Sequence, residues 1–335
     1  MTTHTLPPAP DTTLPPLPRF AQIEPTGLCN LACPMCTVNH RADAPRHLTF
    51  ERFRQWIEQL PQLQELHLQG LGEPMLNPQF FEMVAWASAR GIRVSANTNL
   101  TLLTPQRAQR CIDSGLHALS ISIDAADAQL YQSVRVRASF DKVLRNLARL
   151  AALRDRAAGR GPEVRLVMVL MRRTLDQLPA VLRLAQRFGV HEVQVQRLSS
   201  DLEQPDLPER YIPIREHVRQ AELAPEDLAH ARAVFAHASR LAAALGVTLH
   251  LPRLTPNPQA ARCTWPWDGL YLTAGGEMLP CCMAGTPDRA SFGSVDDGGV
   301  LARWHGEAAR QFRARLASEE PPSVCRHCAL YRGAF

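Results

Sequence analysis

The sequence predicts an α/β protein, a partial (β/α)6 barrel of the TIM type followed by a small cysteine-rich domain. Three observations predict it. Strand-like and helix-like segments alternate from Phe20 to Arg197, glycine-rich and polar motifs fall where those strands end, and the nine cysteines gather mainly towards the two ends of the chain. Strands joined through helical crossovers run parallel, and a curled parallel sheet collects its chemistry at the strands' carboxyl ends.

The chain opens on a proline- and threonine-rich stretch, residues 1–18, whose composition cannot pack a core and predicts a disordered tail. Strand Phe20–Glu24 then leads to helix Thr49–Leu60, Glu65–Gln69 to Pro78–Arg90, and Ile92–Asn97 to Pro105–Ser114. Ala118–Asp124 leads to Phe140–Asp155, Val164–Leu170 to Leu178–Phe188, and strand Glu192–Arg197 completes the six. The proline-rich run Ser199–Pro213 is long enough for a substrate lid or a bridge between modules. A helix Pro225–Leu245 and a strand Val247–Leu251 follow, and the prolines of Pro252–Pro258 mark a boundary. The expected division is therefore a tail, a barrel over 19–251 and a cysteine-rich domain over 252–335.

A length of 335 residues with 45% hydrophobic content can build one sizeable core and a satellite. No apolar run is long enough to span a bilayer and no charged-then-apolar leader opens the sequence, so a soluble, cytoplasmic protein with no membrane partner is expected. In that compartment nine cysteines suggest metal ligands rather than disulfides. The formal charge of +5 comes almost wholly from scattered arginines, with Lys142 the single lysine, and this spread argues against a nucleic-acid partner.

The loop after the first strand reads Gly27-Leu28-Cys29-Asn30-Leu31-Ala32-Cys33-Pro34-Met35-Cys36. Three close thiolates suit a four-iron cube and leave one iron unclaimed. A zinc site completed by His40 is the alternative from the residues alone. The C-x-x-x-C-x-x-C spacing resembles the signature of radical S-adenosylmethionine (SAM) enzymes. That resemblance implies a [4Fe-4S] cluster on Cys29, Cys33 and Cys36, SAM chelated to its open iron, and a flavodoxin- or ferredoxin-like electron donor. Reductive cleavage of SAM then yields a 5′-deoxyadenosyl radical that abstracts hydrogen from substrate. The position before the last cysteine, commonly aromatic in the family, is Met35 here.

Gly70-Leu71-Gly72-Glu73-Pro74 resembles the family's Gly-Gly-Glu-Pro motif, in which glycines bring backbone close to the methionyl end of SAM and Glu73 supports the loop. At the third strand's end Asn97 and Asn99 are site or capping residues. Period two places Ser120, Ser122 and Asp124 on one face of the fourth strand. The resemblance assigns Ser122 and Asp124 to SAM, with a helix cap by Asp124 as the alternative. Arg135 and Arg137 occupy a segment where related enzymes carry a basic residue near SAM, and Met168, Gln196 and Arg197 are cavity candidates by position, with a place in the core the commoner role for a methionine such as Met168. No acid, base or nucleophile stands out as a catalytic residue.

Five further cysteines, Cys263, Cys281, Cys282, Cys325 and Cys328, lie beyond the boundary, and Gly275-Gly276 between strand-like runs predicts a hairpin that returns Cys281 towards Cys263. The pattern resembles the SPASM/twitch extensions of radical SAM enzymes, with Gly276 ahead of Cys281 as in their Gly-x-x-x-x-Cys element. It implies one auxiliary [4Fe-4S] cluster on Cys263, Cys281, Cys325 and Cys328. A zinc ribbon is the alternative, and Cys282 is a swapped ligand or a buried neighbour. Cys111 reads as a buried small hydrophobe. The expected activity is oxidation of a small molecule, such as dehydrogenation of an alcohol. One alternative is peptide maturation, for which the family often adds an amino-terminal recognition domain that the proline tail does not resemble. The other is non-catalytic metal binding.

Overall fold

The computed structural model describes residues 15–157, 160–198, 202–257 and 263–333. The first fourteen residues of the expected tail, Ser199–Asp201 of the proline run and Pro258 of the expected boundary lie outside them. The barrel alternates β1 (Phe20–Ile23), α1 (Phe50–Glu58), β2 (Glu65–Leu68), α2 (Phe80–Ser88), β3 (Arg93–Thr98), α3 (Pro105–Asp113) and β4 (Ala118–Ser122). It continues through α4 (Ala128–Val134), α5 (Phe140–Arg156), β5 (Glu163–Leu170), α6 (Leu178–Arg187) and β6 (Glu192–Arg197). Helices α7 (Ile212–Ala221) and α8 (Leu228–Leu245) lead to β7 (Thr248–His250). The remainder holds α9 (Trp265–Asp268), β8 (Gly269–Leu272), β9 (Glu277–Leu279), β10 (Gly293–Ser294), α10 (Gly299–Trp304), α11 (Glu307–Ala317) and α12 (Ser323–Arg326).

The strands form one sheet in the order β10-β9-β8-β1-β2-β3-β4-β5-β6-β7, so the barrel is open. β1 to β7 pair in parallel with their neighbours, and the parallel run gains a seventh strand because β7 joins β6. The expected boundary near residue 252 does not interrupt the sheet. β8, from beyond it, pairs in parallel with β1 in the register Phe20↔Gly269 to Ile23↔Leu272, and β9 turns back antiparallel. The predicted hairpin therefore extends the barrel from its first strand.

Local chemistry explains the helix starts. Thr49, Thr104, Asp127 and Ser139 each accept a backbone amide three residues ahead, a cap worth about 1 kcal/mol. One side of each barrel strand packs under the helices: Leu66 and Leu68, Val94 and Ala96, Leu119 and Ile121, Leu166 and Met168 are all buried there. Met168 thus belongs to the core, and its neighbours Val167 and Val169 face the lumen instead. Cys111 is fully buried in the same core, and burial pushes its thiol up to about 12. Asp124 caps no helix, since Asp127 caps α4.

Candidate functional site

The cysteine loop is clamped from several sides. Ala32 N–H donates to the Val136 carbonyl at 3.1 Å, and Glu73 N–H donates to the Leu28 carbonyl at 2.8 Å. Asn30 donates to Thr101 Oγ1 at 2.8 Å and accepts from Asn99 Nδ2 at 3.1 Å. Asn99 is therefore a clamp on the loop, whereas Asn97 lines the cavity. At the root of the loop the wholly buried Glu24 receives Arg41 Nη1 and Nη2 at 3.2 and 3.3 Å, Leu71 N–H at 3.0 Å and Ala274 N–H at 3.1 Å. One carboxylate thereby ties β1, the cysteine loop, the glycine loop and the β8–β9 turn together. Nothing in the sequence pattern marks Glu24, whose partners are distant in the chain.

The glycines of the Gly-x-Gly-Glu-Pro loop have a measurable reason. A Cβ on Gly72 would stand 2.0 Å from the Thr26 carbonyl oxygen and 2.6 Å from that of Leu28, and one on Gly70 would stand 2.3 Å from Glu24 Cγ. The close approach is to the cysteine loop itself, while Gly70 and Leu71 also border the cavity. Glu73 is buried and accepts from Thr98 Oγ1 and Asn99 N–H, both at 2.8 Å, and from Met75 N–H at 3.3 Å. Burial still pushes its carboxyl up, against the pull of those hydrogen bonds. Pro74 begins the short turn Pro74–Leu76 that Glu73 caps.

Burial raises all three loop thiols, Cys36 to about 11. Arg135 works the other way, hydrogen-bonding to Cys33 and drawing each of the three towards thiolate. Asp124, fully buried, fixes that guanidinium by accepting from its Nε at 2.6 Å and takes Val169 N–H at 2.9 Å. Both Asp124 oxygens are thus engaged by the protein, while Ser122, one pleat earlier, is half-buried. Arg137 is exposed. Glu73, Asp124 and Arg135 come together with the three cysteines, and Arg137 does not.

Beneath the loop lies a cavity of about 670 Å³. Its polar wall starts from Gln22, His67 and Gln69, and passes through Asn97 and Ser120 to Arg165, Gln194 and Gln196. His67 contacts Ser95 Oγ through Nδ1 at 2.8 Å and Gln69 Oε1 through Nε2 at 2.6 Å, and Gln69 Oε1 also accepts from Asn97 at 3.1 Å. Removal from water, with Arg165 nearby, holds His67 down to about 4, so the imidazole is neutral at neutral pH. His67 and Arg165 carry no motif and are not among the residues the sequence marks. The alternation of Leu66 and Leu68 with His67 and Gln69 is the signal that finds the former.

The cavity is lined as well by Met35, Cys36 and Thr37 of the cysteine loop and by Tyr271, Cys282 and Met283 of the carboxy-terminal part, so Cys282 faces the lumen. Its neighbour Cys281 is half-buried and feels Cys282, Cys328 and Cys263, while Cys325 feels Cys328 and Cys263. Burial and mutual repulsion raise Cys281 strongly and Cys325 to about 12. The sequence-predicted quartet Cys263, Cys281, Cys325 and Cys328 is therefore one neighbourhood. Among the described residues, no three His, Cys, Asp or Glu side chains stand where they share a single metal ion. Thiolates are the ligands that iron–sulfur clusters use, so thiol-only sets suit such clusters by chemistry.

A parallel open barrel with a three-cysteine loop at its first strand end, facing a polar cavity, defines a cofactor-dependent radical enzyme. Residues 23–192 match the radical SAM superfamily and residues 263–329 the iron-sulfur cluster-binding SPASM domain. The chain belongs to the radical SAM superfamily and carries a carboxy-terminal SPASM domain. Its cofactors are accordingly a [4Fe-4S] cluster with SAM, and auxiliary iron–sulfur chemistry. The chain is similar to the mycofactocin maturase MftC of Mycolicibacterium smegmatis, 31% identical over 198 residues, 59% of this chain and 49% of that one. It therefore spans about half the length of that relative. It is also similar to the PqqA peptide cyclase of Rhizobium meliloti, 27% identical over 321 residues, 94% of this chain and 80% of the relative. The crystal structure of Streptococcus suis SuiB bound to precursor peptide SuiA shares the fold, with a TM-score of 0.68, 14% identity and coverage of 95% of this chain and 71% of SuiB. Among the described residues no helix is long and apolar enough to cross a membrane.

Proposed function

We propose that this chain is a radical SAM enzyme of peptide maturation, modifying a ribosomally made precursor. The observation that carries the proposal is the near full-length likeness to a relative named for cyclising a peptide. The fold shared with SuiB, whose structure holds a precursor peptide, supports it. These relatives favour a peptide over the small-molecule alcohol expected from the sequence.

In this proposal residues 19–251 form the barrel and 252–335 the auxiliary domain. Cys29, Cys33 and Cys36 hold the catalytic cluster, and Cys263, Cys281, Cys325 and Cys328 hold one auxiliary cluster. When bound, cluster and SAM supply a one-electron route to hydrogen abstraction. The protein's own part is to orient and to exclude water. Arg135, Ser122, Asn97 and the Gly70–Pro74 loop border the SAM end, with Asp124 and Glu73 holding that border in place. The polar lumen receives the residue to be modified, and a flavodoxin- or ferredoxin-like protein donates electrons. Anaerobic co-expression with each short open reading frame beside the gene tests the reading. A peptide whose mass shifts only when intact Cys29, Cys33 and Cys36 are present is expected. Release of labelled 5′-deoxyadenosine with a small alcohol, and with no peptide, would restore the small-molecule alternative.

A further inference from the structure

We infer that the cavity recognises a carboxylate on the substrate, received by Arg197 with Arg165 in support. The inference deepens the peptide proposal and rests on it for the body of the substrate. Three arginines, Arg135, Arg165 and Arg197, line the cavity, and among the described residues no aspartate or glutamate does. Their charges are not equally answered. Arg135 is paired to the buried Asp124 at 2.6 Å and lies against the cysteine loop. Arg165 donates Nε to Ser120 Oγ at 2.7 Å and has Glu192 at 3.6 Å, a carboxylate that also lies 3.4 Å from His250. Arg197 donates Nη1 to the Leu254 carbonyl at 2.9 Å and has no ion pair among the described residues.

A guanidinium that borders a cavity and has no carboxylate beside it is an open partner for an anion. The bond to Leu254 fixes the plane of Arg197 and leaves other N–H groups of its fork for a carboxylate, which they match in geometry. Gln194 and Gln196 on the same strand add amide donors, and the neutral His67 brings no competing charge. The carboxylate comes from an Asp or Glu side chain or from the carboxyl terminus of a peptide.

The test uses the full chain, cluster-loaded and saturated with SAM so that the nucleotide's own carboxylate is already placed. Two pools of short random peptides, one ending in a free carboxylate and one amidated, are passed over it, and retained peptides are sequenced. A side-chain source enriches Asp or Glu about tenfold at one position in both pools, the scale of a charge-assisted contact. A terminal source is retained from the free-acid pool alone. Arg197→Gln erases either preference, Arg197→Lys keeps part of it, and Arg165→Gln weakens it less. Retention without an acidic preference, or a preference that survives Arg197→Gln, overturns the inference and leaves the peptide proposal standing. If no peptide is retained, calorimetry with glutarate and glutaramide decides. Glutarate favoured about tenfold, and only with Arg197 present, upholds the carboxylate and removes the peptide; equal binding overturns both.

Discussion

The two cysteine-rich regions differ in what surrounds the sulfur. Cys29, Cys33 and Cys36 lie beside the Arg135 guanidinium on a loop held by Glu24, Glu73 and Asn99, and Cys36 borders the cavity. The carboxy-terminal thiols are raised first by burial and then by one another, Cys281 by Cys282, Cys328 and Cys263, with only minor relief at Cys325 from Arg289 and Arg315. On the proposed ligand sets, three thiolates at the first region leave a place for chemistry and four at the second make a closed centre, so the first would react and the second would stay coordinated or carry charge.

The largest expected effects separate the two. Cys33→Ser should drop iron from about eight to about four per chain and abolish SAM cleavage, read by iron assay and 5′-deoxyadenosine release. Cys328→Ser should lose a similar share of iron yet keep SAM cleavage while losing peptide product. If both variants lose SAM cleavage alike, the contrast between the regions fails.

Glu24→Ala sharpens the comparison at the root of the reactive loop. Arg41 and Glu24 side chains are 4% and 1% exposed, so removing the carboxylate strands a buried cation. A cost of about 3 kcal/mol in urea unfolding is expected, Asp43 at 2.6 Å limiting it. The matching change on the other side, Arg52→Ala, breaks a more exposed pair with Asp296 and should cost under about 1 kcal/mol. Equal losses would show that Glu24 is not the tie.

The smallest effect is one of pH. His67 takes its proton near pH 4 in the folded chain and near 6.5 when unfolded, so between those values unfolding takes up a proton. Stability from this group is complete above about pH 6.5 and falls as pH drops towards 4. Unfolding midpoints of wild type and His67→Gln should converge on acidification across that window. A parallel decline in both would remove His67 from the account.

Much of the barrel is legible in the sequence because each strand from Glu65 to Arg197 buries one face and several early helices open on a cap such as Thr104 or Ser139. The missed helices have local causes. Pro213 reads as a breaker but sits in the first turn of α7, where its missing N–H costs nothing, and α4 is short and begins just past Asp124. The pairing of β8 with β1 joins residues some 250 positions apart, which periodicity cannot express. At the site the cysteines are legible by spacing alone, since the chemistry demands thiolates in number. Glu24, His67 and Arg165 owe their roles to partners supplied by the fold, and Met168 takes the core place, the commoner of the two weighed for it, rather than the cavity.

The central claim is that the amino-terminal trio leaves one iron open to the cavity. The most direct measurement is the electron paramagnetic resonance spectrum of the reduced Cys328→Ser protein, recorded with and without SAM. The account predicts that SAM alters the signal of the remaining cluster. An unchanged spectrum at saturating SAM would contradict it.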